Sequence, residues 1–308
     1  MNSKFQITAI LPVYNGEKYI EETLLSVLAT RKYSNTEIIV VNDGSTDSTN
    51  NILEKYKNQI EILNQKNQGQ ARAINNALNI SKSPFCSIVN CDDPLIDPEI
   101  FAKSIAEIGK DQNLIASYPN WKMIDEDGRV LKEIQVPEFS RDELIGNFKC
   151  IVGPGAVFSV SIALLVGGWN PKFRYVPDYD FWLRMSNYGN FIKIHQTLAS
   201  WRFHNDSISV KSKNLEMSEE RINVMRYFLN DSSTQYKFEK KAIANSIYSA
   251  AILSAFDPKV NGRKLFFKAV KTYPMVFKGK KIKEMIFLIT YPVSSYLIKK
   301  IGIDIKNY

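Results

Sequence analysis

Three short stretches of this chain concentrate side chains that can hold charge or move protons: "PVYNGE" from Pro12, "NDGSTDST" from Asn42 and "NCDDPLIDP" from Asn90. The third makes the strongest chemical demand. Asp92 and Asp93 are adjacent, and two ionised carboxylates side by side repel unless a cation or hydrogen-bond donors relieve them. A divalent metal is a natural relief, because Mg2+ and Mn2+ prefer oxygen ligands and are commonly held by one or two carboxylates together with a substrate's phosphates. Plainer readings exist nearby: Asp97 before Pro98 suits a helix cap with Pro at the first helical position, and Asp43-Gly44 suits a turn, with Ser45 or Asp47 capping the helix that follows. A second centre lies in "VPDYDFWLRM". Asp178 there can cap the following helix, while Asp180 stands four residues before Arg184 and can pair with it along a helix face. Of the two histidines, His195 alternates along "FIKIHQTLA" and is structural, whereas His204 in "WRFHNDS" ends a strand.

Alternating elements must carry these loops. "FQITAILPV", "TEIIVVN", "IEILN" and "FCSIVN" are short β-rich runs, and "EKYIEETLLSVLAT", "TNNILEKY" and "GQARAINNALNI" carry helical spacing between them. Strand alternating with helix implies parallel strands joined by right-handed crossovers, a sheet covered by helices on both faces. Ligands bind at the carboxyl ends of such strands, and the three polar loops fall there. From Leu114 to Glu133 the pattern turns to short strands, with "DEDG" as the hairpin turn.

In this order and at these separations, "ILPVYNGEKYIEETLLSVL", "EIIVVNDGSTDST", "NQGQARAINNAL" and "NCDDPLIDP" resemble glycosyltransferase family 2, over about residues 5–210. The resemblance implies an α/β fold, a nucleotide-binding, mainly parallel sheet flanked by helices (the A-type glycosyltransferase fold); beyond Val210 the match fades, and helical spacing predicts a C-terminal helical region. It also implies an inverting, metal-dependent transfer from a nucleotide diphosphate sugar, with Mg2+ or Mn2+. Pro12 and Tyr14 would line the base and ribose pocket, and Asp43 would accept a hydrogen bond from the base, which suits the imide N–H of uracil or thymine. Asn90, where the family's Asp-x-Asp element begins with Asp, would meet a ribose hydroxyl. Asp92 takes the metal position, and Asp93 supports it or faces the donor sugar. Ile74 occupies a position where many members carry Arg. Arg72, about 200° away on a helix, contacts the diphosphate or faces solvent. "GPGAVFS" would lie near the donor sugar and acceptor. Pro177 replaces a family Glu and leaves Asp178 as the base. "WRFH" resembles the family's Arg-x-His segment, so that His204 with Arg202 would reach the metal or diphosphate; a structural histidine is the other reading.

Composition sets the remaining bounds. At 308 residues, 44% hydrophobic and 23% charged, the chain is of ordinary globular composition. Cys86, Cys91 and Cys150 follow no pairing or ligand spacing, the first residues lack the apolar run of a signal peptide, and no run of about 20 apolar residues occurs, which together predict a reduced, cytosolic protein. Residues 1–210 hold 21 Lys and Arg against 24 Asp and Glu, and residues 211–308 hold 19 against 8, so the basic charge belongs to the tail. Two parts are expected: a catalytic domain over 1–210 and a basic helical region over 211–308. "KGKKIKEMIFLITYPVSSYLIKKIGI" interleaves apolar residues with lysines, which suits an anionic membrane surface better than nucleic acid, whose stacking platforms are absent. A saccharide or lipid-linked acceptor in bacterial surface glycan assembly is the expected context. A nucleotidyltransferase and a catalytically silent nucleotide-sugar or membrane-binding module are the competing readings.

Overall fold

The structure is a computed structural model that describes residues 4–204, 215–231, 238–253 and 262–277. The chain divides into two units, Met1–Ser140 with Cys150–Ser207 and Arg141–Lys149 with Ile208–Tyr308. Residues 141–149, which the sequence places in the catalytic domain, therefore group with the C-terminal helices.

The first unit begins with the expected alternation: β1 (Ile7–Val13), α1 (Ile20–Ala29), β2 (Thr36–Asn42), α2 (Thr49–Glu54), β3 (Glu61–Asn64), α3 (Gln70–Ile80), β4 (Phe85–Ile88) and α4 (Ile100–Ile108). There follow β5 (Leu114–Ile124), β6 (Val130–Ile134), β7 (Val157–Ser159), α5 (Val160–Leu165), α6 (Pro177–Met185) and β8 (Asn190–Arg202). All eight strands form one sheet in the order β3-β2-β1-β4-β7-β5-β6, with β8 also paired to β5. The pairs β1–β2, β1–β4, β2–β3 and β5–β8 are parallel, and β7 and β6 run antiparallel to their neighbours. The β5–β6 exception is local. Asp125 accepts from the N–H groups of Asp127 and Arg129, a tight turn that only antiparallel strands can use.

β1 and β2 are buried along their whole length, as near-continuous apolar runs must be when both sheet faces are covered. On one face α1 buries Ile20, Leu24 and Val27 against Ile7, Ala9, Leu11, Ile38 and Val40, each large side chain contributing about 1.5–3 kcal/mol. On the other, α3 packs on β1 and β2 through Ala73, Ile74 and Ala77. Pro12 sits within β1 at no cost in hydrogen bonds. The Val13 carbonyl accepts from Asp43 N on the β2 side, and Ile10 accepts from Val89 N on the β4 side. Residue 12 therefore faces β4 one step beyond the end of that ladder, where a missing N–H costs nothing.

The second unit contains α7 (Leu215–Asp231), α8 (Glu239–Leu253) and α9 (Gly262–Thr272). Ile222, Ala244, Ile247, Ala251, Phe266 and Ala269 form its core. On α7 the buried face runs through Ile222, Met225 and Phe228, while Leu215 is exposed. A single turn at Asp142–Gly146 joins this unit: Asn245 Nδ2 donates to the Gly146 carbonyl at 2.8 Å, and Lys241 pairs with Asp142 at 3.1 Å. Among the described residues no helix is long and apolar enough to cross a membrane. The lysine-rich segment read as a membrane contact lies outside the described residues.

Candidate active site

The loops that follow β1 and β2 are laced together. Asn15 adopts a left-handed φ of 52°, so its N–H donates to Ser45 Oγ at 3.0 Å and its Oδ1 accepts from Thr46 N at 2.8 Å. Glu17 N donates to Asp47 Oδ2 and Ser48 N to Glu17 Oε2. Tyr14, next in line, is 50% exposed and free to stack on a planar ligand.

Asp43, at the end of β2, is 3% exposed. Its Oδ1 accepts from Gln65 Nε2 at 2.7 Å and Gln68 N at 2.8 Å, and its Oδ2 from Gly69 N at 2.8 Å. Gly69 has φ +88°, which a side chain would strain; that geometry turns its N–H toward the carboxylate and opens α3 immediately afterwards. Within α3, Ile74 is buried and Arg72 is exposed. Of the two readings for Arg72, solvent is what this conformation presents.

The adjacent acids form the second cluster. Asn90 Oδ1 accepts from Gln70 Nε2, and its Nδ2 donates to Asp93 Oδ2, both at 2.9 Å. Asp93 is buried, and its Oδ1 accepts from Arg202 N at 2.8 Å. Burial, and then the charge of Asp92, push its carboxyl well above the usual range, against the two donors that hold the charged form. Asp92 Oδ2 lies 2.8 Å from His204 Nε2. So the carboxylates divide their work: Asp93 anchors the turn and Asp92 faces outward with an imidazole.

Arg202, expected at the diphosphate, lies beneath this cluster. It is 1% exposed. Its Nε donates to the Asp92 carbonyl at 3.0 Å, its Nη1 to the carbonyls of Asp125 and Glu126 at 3.1 and 3.0 Å, and its Nη2 to Glu22 Oε2 at 2.7 Å. Four of the five guanidinium N–H groups are thus committed. The charge faces the Tyr19 ring at 4.7 Å, and His204 packs on the same ring at 5.2 Å.

Asp178 is exposed in the first turn of α6, behind Pro177. Asp180 is buried and paired with Arg184 Nε at 2.9 Å, and Arg184 Nη2 donates to the Gly168 carbonyl at 2.8 Å. Asn75 of α3 completes the mounting by exchanging two hydrogen bonds with the Trp169 backbone, at 2.7 and 2.8 Å. Gly155, expected near a ligand, instead meets protein: a Cβ there would stand 2.7 Å from Ala199 Cβ and Ile100 Cδ1.

Among the described residues no three His, Cys, Asp or Glu converge as a metal cage. The Asp92–His204 pair still fits an ion of the expected kind, since diphosphate oxygens and water supply most ligands of such ions. The imidazole favours a transition ion, and Mn2+ is the one suited to carboxylate. Sequence reasoning missed Tyr19, Glu22, Gln65 and Gln70. Only Gln70 left a trace, in the amide-rich "NQGQ".

Comparisons with known proteins agree with this architecture. The TarS 1–349 structure from S. aureus in complex with UDP-GlcNAc superposes with a TM-score of 0.66 at 18% identity, covering 98% of this chain and 89% of that one. A mannosyltransferase from Pyrobaculum calidifontis, solved with GDP-Man and Mn2+, gives 0.57 at 14% identity, covering 94% and 86%. In sequence, hyaluronan synthase of Pasteurella multocida is 26% identical over 76% of this chain, and chondroitin synthase of the same species (strain Pm70) 28% over 77%. The chain spans about a quarter of the length of these two relatives, 24% and 26%. The family description Glycosyl transferase family 2 matches residues 8–163, over half of the sequence, and the chain belongs to that family.

Proposed function

We propose that this chain transfers a hexosyl or N-acetylhexosaminyl unit from a uridine or thymidine diphosphate donor to a hydroxyl of a saccharide or lipid-linked acceptor, with inversion. The carrying observation is the part-buried Asp92–His204 pair at the carboxyl end of the sheet, where loop 65–70 reaches Asp43 through Gln65, Gln68 N and Gly69 N and reaches Asn90, and through it Asp93, by Gln70. A carboxylate at Asp43 suits an imide N–H, and the TarS structure with UDP-GlcNAc supports such a donor.

In the transfer, the acceptor hydroxyl attacks the anomeric carbon as the bond to the diphosphate breaks. The exposed carboxylate of Asp178 takes the hydroxyl proton, and the bonding pair leaves with the diphosphate. Asp92 and His204 would hold Mn2+ or Mg2+, which when bound offsets the charge of the departing diphosphate. Tyr14 and Pro12 flank the base. The basic tail over 211–308 would hold the enzyme on anionic membrane from the cytosolic side.

The test pairs a titration with two variants. UDP or dTDP should bind more tightly than GDP in Mn2+ buffer; tighter GDP would overturn the donor assignment. Asp178→Asn should leave nucleotide binding and Tm nearly unchanged while turnover falls about 10²- to 10⁴-fold. Asp180→Asn should chiefly lower Tm, and the opposite pattern moves the base to Asp180.

A further inference from the structure

The base-recognition carboxylate is not held by backbone alone. Gln65 Nε2 donates to Asp43 Oδ1 at 2.7 Å, and Gln65 Oε1 accepts from Asn76 Nδ2 at 2.7 Å. We infer that Gln65 and Asn76 are positioning residues for nucleobase selection: this two-amide relay points the last acceptor site of Asp43 at the imide N–H of uracil or thymine and rejects cytosine. The inference rests on the proposed role of Asp43.

The direction of the relay follows from chemistry. A carboxylate can only accept, so Gln65 must turn its NH2 toward Asp43 and its oxygen away, and Asn76 must then present its own NH2. A carboxylate offers about four in-plane acceptor positions. Gln65 and Gln68 N fill both at Oδ1, and Gly69 N takes one at Oδ2. One acceptor is left. Uracil and thymine bring a donor at N3, whereas cytosine brings an acceptor there, so cytosine leaves Asp43 Oδ2 facing a lone pair. Of the three donors that fix Asp43, only Gln65 acts through a side chain. Its backbone is secured separately, because Gln65 N donates to the Asn42 carbonyl at 3.0 Å. Replacing the side chain therefore loosens Asp43 without releasing the strand end. Asn76 is exposed on α3, so its substitution does not disturb the core.

The experiment is calorimetric titration of the full chain with UDP and CDP in Mn2+ buffer, together with Tm and the kinetic constants for the donor. Wild type should prefer UDP. Gln65→Leu should weaken UDP about tenfold and CDP little, raising the donor KM while kcat at saturation stays within about twofold. Asn76→Asp is the sharper variant. Its new carboxylate can only accept, so it draws the Gln65 NH2 to itself and turns the Gln65 oxygen onto Asp43; UDP affinity should again fall about tenfold at an unchanged Tm. If either variant keeps the wild-type UDP-to-CDP ratio within twofold, the relay merely supports the β3–α3 loop and the inference is overturned. Should Gln65→Leu fail to fold, the surface variant alone decides. A wild type with no preference for UDP over CDP overturns the Asp43 assignment itself, a failure visible before any variant is made.

Discussion

At the end of β2, Asp43 is held by two backbone N–H groups and one carboxamide, with no cation in contact among the described residues. At the end of β4, Asp92 and Asp93 are held by His204 and by a buried arginine that reaches them from the last strand of the unit. Both loops end parallel strands that flank β1 in one sheet, yet they solve the carboxylate problem differently. A lone carboxylate can be satisfied by dipoles alone, and it then reports the hydrogen-bond polarity of whatever approaches it. Two carboxylates in sequence also repel, which raises the Asp93 carboxyl above its usual range, and on the proposed reading this corner takes a charged ligand that arrives with a metal.

Breaking the charged corner should cost most. Asp92→Ala should reduce metal-supported transfer by about 10²-fold or more, and by more than Asp93→Ala does; the same Mn2+ dependence in Asp92→Ala and wild type would remove Asp92 from the metal site. Next comes Arg202→Met. It orphans the part-buried carbonyls of Asp92, Asp125 and Glu126, which now accept from the guanidinium, at about 3 kcal/mol in all, which lowers Tm by roughly 10 °C for a unit of about 200 residues. Arg202→Lys should not restore it, because one ammonium cannot reproduce a planar fork of donors. Away from both corners, Asn75→Ala removes two hydrogen bonds to the Trp169 backbone and should cost about 1–2 kcal/mol. A larger loss of Tm in Asn75→Ala than in Arg202→Met would show that the guanidinium is not a main anchor of the acidic corner.

The sequence made the alternation of β1 to β4 with α1 to α3 readable because both periodicities are local. Asp92 and His204 were readable as partners only through the family resemblance. Arg202 was misplaced for a physical reason. A cation two residues before a histidine reads as a phosphate contact, and nothing within the segment says that Glu22, 180 positions earlier, will cover it. Ile74 departs from the Arg many family members carry, and its burial follows from the α3 face that lies on the sheet. The Gln65–Asp43 hydrogen bond was hidden because a glutamine in a polar loop looks solvated until its partner, just past the end of the adjacent strand β2, is known.

That 180-residue separation between Glu22 and Arg202 also sets a schedule for synthesis. Ribosomes add about 5–20 residues per second, so α1 emerges roughly 10–40 s before the arginine that will cross it. Once made, the turn at Asp92 and Asp93 waits a further 109–110 residues, roughly 5–20 s, for the backbone N–H and the guanidinium that hold it. The acidic corner is therefore among the last parts of the unit to settle, and a nascent chain halted before residue 202 can display the Asp43 corner while the other remains unbuilt.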